Sequence, residues 1–217
     1  MRFAFFAENA LMVRFLMIPA ELYTTREQLL PRSSKEERLK QRAKVFWLYG
    51  LSGSGKTTMA AAFERRLHEE GLFGVVLDGD NVRSGLNKDL GFSDEDRSEN
   101  IRRIAEAAKL FVSNGIVTIV SFITPRDRFR RMAREIVGEE DFLEIYVKAS
   151  YEACQTRDVK GLYAKASAGE IRDFTGHQSA FKPPENPWLV LDTELSGPED
   201  TLELLWSKAE SLLRPVS

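Results

Sequence analysis

The chain has 217 residues, 43% of them hydrophobic and 29% charged, with a formal net charge of −2 at pH 7. That length suits one α/β domain with short appendages. A near-neutral balance excludes the global basic field that draws a protein to nucleic acid, so any anion site has to come from local placement of arginines. The single cysteine, Cys154, excludes an internal disulfide, fits a reducing cytoplasmic setting and reads as a small buried hydrophobe.

Residues 1–20 open on an apolar stretch behind Arg2, but Glu8, Asn9 and Arg14 interrupt it. Neither a signal-peptide core nor a membrane span tolerates that well, so no membrane association is expected. RSSKEERLKQRAK (32–44) is strongly charged and reads as a solvated helix or linker. We therefore expect an N-terminal extension over 1–43, a tail or docking helix, and a folded domain over 44–217.

From Lys44 onward, short apolar runs alternate with helix-period segments. Val45–Tyr49 reads as the first strand. Thr57–Glu70 carries Met59, Phe63 and Leu67 at four-residue spacing before Gly71, which predicts a helix with a glycine cap. Gly74–Leu77 is the second strand. Ser93–Asp96 has the form of a capping box, followed by a helical face of Ile101, Ile104, Ala105, Ala108, Phe111 and Val112. Gly115–Ile123 is the third strand. Phe129, Met132, Ala133 and Ile136 mark a helix closed by Gly138. Phe142–Val147 and Trp188–Leu191 are further strands, and Pro198 opens a last helix. Such alternation predicts an α/β fold, a mostly parallel sheet flanked by helices on both faces, and the motif at Gly50–Thr57 makes it one of P-loop NTPase type. Ligands of such sheets sit at the carboxyl ends of the strands, here Gly50, Asp78–Asp80, Thr124, Val147–Ser150 and Asp192.

GLSGSGKT (Gly50–Thr57) matches G-x-x-x-x-G-K-[ST] between a predicted strand and a predicted helix. The backbone of Gly50, Leu51, Ser52, Gly53, Ser54 and Gly55 can curl its N–H groups toward phosphate oxygens, and the helix N-terminus adds partial positive charge. Lys56 can reach the β- and γ-phosphates of ATP, and the Thr57 hydroxyl can ligate Mg²⁺. A GTP-binding switch needs Asn-Lys-x-Asp, whereas Asn87-Lys88-Asp89-Leu90 lacks the final acid. A small kinase is favoured, where catalysis is mostly positioning and charge neutralisation.

On the acceptor side, Asp78 and Asp80 flank Gly79 at the end of the second strand. One can act through metal-bound water and the other as a base. Arg83, Arg97 and Arg102, with Asn100, can clamp an anionic substrate. Of the arginines after Thr124-Pro125, most read as solvated helix charges, leaving Arg83 and Arg97 as the main anion wall.

GLSGSGKT, LDGDNVRSGLNKDLGFSDEDRSENIRR, SFITPRDRFR, RDVKGLYAKA, DFTG and PPENPWLVLDT, in that order between Lys44 and Thr193, resemble the adenylyl-sulfate kinase (APS kinase) family. The resemblance implies transfer of the γ-phosphate of ATP to the 3′-hydroxyl of adenylyl sulfate, giving PAPS in sulfate activation, with Mg²⁺. It implies catalytic roles for Lys56, Asp80 and Thr124, the last at the position of the family's phosphoserine. It implies ATP contacts from the phosphate loop, Arg157 and Thr193. Asp80, Arg83, Phe92, Arg97, Asn100, Ile123, Lys160, Gly161, Leu162 and Phe174 become substrate contacts, with Phe92 and Phe174 enclosing the adenine and Arg157–Tyr163 forming a lid. A homodimer is implied as well. The chain departs from the family pattern at Ser84, Thr124, Val159 and His177–Lys182. Two alternatives stay open: a kinase of another small anionic hydroxyl compound, or a nucleotide-binding regulatory module paired with ATP sulfurylase.

Overall fold

The computed structural model describes residues 28–158, 161–169 and 181–215. The chain divides into Met1–Leu30 and Pro31–Ser217, and every element below lies in the second part. Five strands form one parallel sheet: β1 Val45–Tyr49, β2 Gly74–Asp78, β3 Val117–Ser121, β4 Phe142–Lys148 and β5 Leu189–Asp192, in the spatial order β2-β3-β1-β4-β5. The helices are α1 Arg32–Leu39, α2 Lys56–Glu69, α3 Gly79–Ser84, α4 Asp94–Val112, α5 Asp127–Val137, α6 Tyr151–Arg157, α7 Leu162–Ser167 and α8 Pro198–Leu213. No helix of the described residues is long and apolar enough to cross a membrane.

β1 explains the layering. Every residue of it is buried, because it lies between β3 and β4 with helices on both faces. Its side chains alternate: Phe46 and Leu48 pack with Phe63 of α2 and Trp206 of α8, whereas Val45, Trp47 and Tyr49 pack with Ile104 of α4 and Phe129 of α5. A strand buried on both faces reads as a continuous apolar run, which is why VFWLY was legible.

The Ser93 half of the predicted capping box is formed, with Ser93 Oγ accepting from the Asp96 N–H at 3.1 Å. The third strand is shorter than expected. Gly115 turns with φ +80 before it, and Thr124 takes φ +39 beyond it. Three short helices, α3, α6 and α7, have six or seven residues each, too few for a periodic signal. Their caps carry them: Asp78 for α3 and Ser150 for α6.

Helix α1 buries none of its residues. Polar bonds at its two ends fasten it instead. Arg32 donates to Asp141 Oδ1 at 3.0 Å and to the Ala43 carbonyl at 2.6 Å, and buried Gln41 donates to the carbonyls of Phe73 and Gly115.

Candidate active site

Because all five strands run the same way, their carboxyl ends share one edge, and a cleft of about 1470 Å³ opens there. The phosphate loop lines one end of it, leaving β1 and entering α2. Gly50 has φ +156, and a Cβ on it would lie 2.3 Å from the Val147 carbonyl oxygen. Gly53 has φ +79, with the Cys154 carbonyl only 3.0 Å from where its Cβ would be. No other residue fits this curl without moving β4 or α6. Cys154 itself is fully buried behind the loop, where burial raises its thiol pKa.

Lys56 is buried and donates to the Leu51 carbonyl at 2.6 Å, holding its charge inside the loop. Thr57 Oγ1 donates to Asp78 Oδ2 at 2.9 Å, while Asp78 Oδ1 accepts the Asp80 N–H at 3.1 Å. The two carboxylates therefore divide their work. Asp78 is buried and fixed as both a helix cap and the partner of Thr57, whereas Asp80 is exposed on the cleft wall. Among the described residues no group of three or more His, Cys, Asp or Glu is placed to hold a metal. A hydroxyl and a carboxylate side by side nevertheless fit Mg²⁺, a hard cation that takes one or two protein oxygens and completes its shell with phosphate and water.

The opposite wall comes from α3, α4 and the turn between them. The Arg83 guanidinium lies 4.5 Å over the Phe92 ring and donates to the Gly91 carbonyl at 2.9 Å. Arg97 Nε donates to the Phe92 carbonyl at 2.9 Å. Burial first, then the charge of Arg97, lowers the Arg83 pKa, so this wall holds two cations whose repulsion an anion relieves. The Phe92 ring remains 65% exposed, available as a stacking surface. Asn100 is buried, its Oδ1 accepting from Asn87 Nδ2 at 2.8 Å. Arg102 does not join the clamp: it pairs with Glu99 at 2.7 Å and does not line the cleft. Helical spacing turns it away from Arg97 toward the outer face of α4.

Ile123 and Thr124 form the floor beyond β3. Thr124 is only 1% exposed, with Oγ1 accepting from Trp47 Nε1 at 3.0 Å and its carbonyl accepting from Arg130 Nη1 at 3.3 Å. The arginines that follow divide. Arg126 and Arg128 pair with Asp94, and Arg131 pairs with Asp127. Arg130 departs from the expected solvated row: it is 2% exposed, and its Nε lies 3.3 Å from buried Glu144.

At the nucleotide end, Arg157 donates to the Thr193 carbonyl at 2.7 Å and to Thr193 Oγ1 at 3.1 Å. Thr193 Oγ1 in turn donates to the Ser54 carbonyl at 2.9 Å. Tyr163 Oη donates to the Ser52 carbonyl at 2.8 Å, joining α7 to the phosphate loop. Leu162 lines the cleft, whereas Gly161, at φ +63, caps α7 outside the lining. Lys160, Val159, Phe174 and positions 177–180 lie outside the described residues. Ser121, which lines the cleft, and Trp47 and Arg130, which hold Thr124, were not legible, since each reads locally as strand or helix filling.

The sequence profile described as adenylylsulphate kinase matches residues 42–192. The chain is 55% identical over 184 residues to the adenylyl-sulfate kinase of Phocaeicola vulgatus, covering 85% of this chain and 90% of that one. It is 51% identical over 177 residues to the adenylyl-sulfate kinase of Prochlorococcus marinus, covering 82% and 88%. Among solved structures, the Mycobacterium tuberculosis APS kinase in complex with AMPPNP and APS superposes with a TM-score of 0.74 at 44% identity, covering 78% of this chain and 98% of that one. A P-loop at one end of a single cleft, a paired-arginine wall at the other and these matches lead to one assignment: the chain belongs to the adenylyl-sulfate kinase family.

Proposed function

We propose that the chain phosphorylates the 3′-hydroxyl of adenylyl sulfate with ATP, giving PAPS. One observation carries the reading: the phosphate loop and the Arg83–Phe92–Arg97 wall face one continuous cleft, so donor and acceptor can meet without an intermediate carrier. Holding two reactants in one pocket supplies most of what phosphoryl transfer needs.

In this reading the loop amides and Lys56 bind the phosphates of ATP, and Arg157 and Thr193 border its base and ribose. Thr57 and Asp78 hold Mg²⁺, which supplies charge neutralisation when bound. Asp80 orients the acceptor hydroxyl and takes its proton. Arg83, Arg97 and Asn100 bind the phosphosulfate and ribose. Phe92, with Phe174, encloses the acceptor adenine, and Lys160, Gly161 and Leu162 close over it. Thr124 and Ile123 position the substrate. A homodimer, a cytoplasmic setting and an extension over 1–43 belong to the same reading. Light scattering of the purified chain checks the first.

Steady-state assays across acceptors test the proposal. Adenylyl sulfate should be the preferred acceptor over other small anionic alcohols. Turnover with another alcohol but none with adenylyl sulfate favours a related kinase. ATP binding without turnover on any acceptor favours a regulatory module.

A further inference from the structure

Ser121 ends β3 and stands in register with Asp78 of β2 and Leu48 of β1. Registered partners in a parallel sheet project to the same face. Val117 and Ile119, four and two residues earlier on β3, pack under α2 with Leu48. Ser121 therefore belongs to the α2 face, beneath the first turn of that helix, where Thr57 meets Asp78 at 2.9 Å.

Its surroundings are unusual. Ser121 is 3% exposed, and its Oγ has no hydrogen-bond partner among the described residues. Other buried polar atoms share that condition, including Ser54 Oγ and Asn87 Oδ1, but of the described residues in that group Ser121 alone lines the cleft. A buried hydroxyl without a partner weakens a fold, so one kept at the wall of a binding cleft points to a bond made with the contents of that cleft.

We propose that Ser121 Oγ bonds a water molecule in the shell of the Mg²⁺ held by Thr57 and Asp78. The inference rests on the nucleotide reading above. Mg²⁺ gives up its waters reluctantly, and those waters are strong donors that need acceptors fixed around the ion. Besides facing the ion, Asp78 accepts the Asp80 N–H on one oxygen and Thr57 on the other, so Ser121 is the next oxygen along the sheet edge to receive a metal-bound water. The hydroxyl is neutral and adds no charge to a site that already holds Asp78. Ser121 is thus a positioning residue that acts through the metal's water.

The test is Ser121→Ala, read by Mn²⁺ binding to the protein·AMPPNP complex and by thermal unfolding of the ligand-free chain. Loss of a bond to the metal's shell should weaken Mn²⁺ by about tenfold or more, with the ligand-free Tm unchanged or raised. AMPPNP affinity in EDTA should stay at the wild-type value. Unchanged Mn²⁺ affinity overturns the proposal. So does weaker AMPPNP binding in EDTA, which assigns the hydroxyl to phosphate, or a lowered ligand-free Tm, which assigns it to an internal bond. Failure of the wild-type chain to bind Mn²⁺·AMPPNP instead overturns the nucleotide reading itself.

Discussion

The indole Nε1 of Trp47 donates to Thr124 Oγ1 at 3.0 Å, tying the middle of the central strand to a residue held at φ +39 beyond the end of β3. A β-branched residue avoids that conformation, and its neighbours hold it there: the indole on the side chain, Arg130 on the carbonyl, and the Lys182 N–H on the Pro125 carbonyl at 3.0 Å. A hydroxyl this buried and already bonded suits a fixed floor better than a mobile phosphoryl carrier. Thr124→Ser keeps the hydroxyl without the branch and should turn over near the wild-type rate. Thr124→Val leaves the indole unpaired and should cost about 1–3 kcal/mol of stability, measured by chemical denaturation, while keeping measurable turnover. Complete loss of turnover in Thr124→Ala, with both substrates still bound, would contradict the positioning role.

Asp80 is set apart from Asp78 by exposure and by duty, so its removal should spare the metal site. Asp80→Ala is expected to lower kcat by roughly 10²–10⁴-fold, the range for a lost general base, with AMPPNP affinity retained by calorimetry. Wild-type kcat in that variant would remove Asp80 from the mechanism.

Phe92 offers its ring to the cleft while Arg83 covers part of it. Loss of a stacking surface costs about 1–3 kcal/mol per base. Phe92→Ala should therefore raise KM for adenylyl sulfate by roughly one to two orders of magnitude and leave KM for ATP nearly unchanged. Equal rises in both would argue for a general packing role.

The surface of α4 predicts an acid response. The Arg102 guanidinium above all holds the Glu99 carboxyl down to about 2 from an ordinary 4.5; burial opposes it, and Arg103 adds a further lowering contribution. A depressed carboxylate contributes stability that is present above its unfolded pKa and lost as pH falls through its folded pKa. Unfolding midpoints should thus decline between about pH 4.5 and 2, and Glu99→Gln should flatten part of that decline. A decline identical in slope for the variant would show that Glu99 does not contribute.

What the sequence disclosed depended on the length of the pattern. VFWLY and the α4 face repeat over enough residues to reveal strand and helix, and GLSGSGKT carries its chemistry in one contiguous run. Arg83 and Arg97 were also legible as cleft residues, because they lie close in sequence, on α3 and the first turn of α4, whereas Phe92 between them was singled out only by the family resemblance. Trp47, Ser121 and Arg130 were not, since their roles come from register and from partners 77, 43 and 14 residues away: Thr124, Asp78 and Glu144. Arg102 misled for the converse reason. It sits among clamp residues in sequence, yet its place on α4 gives it to Glu99.

Transfer of the γ-phosphate itself is the most direct measurement. The chain should be incubated with Mg²⁺, γ-labelled ATP and adenylyl sulfate, and the labelled products resolved, with Asp80→Ala as the control. Label is expected on the 3′-oxygen of adenylyl sulfate, at a rate that collapses in the variant. Label appearing only as inorganic phosphate, or at equal rates in both proteins, would contradict the proposed transfer.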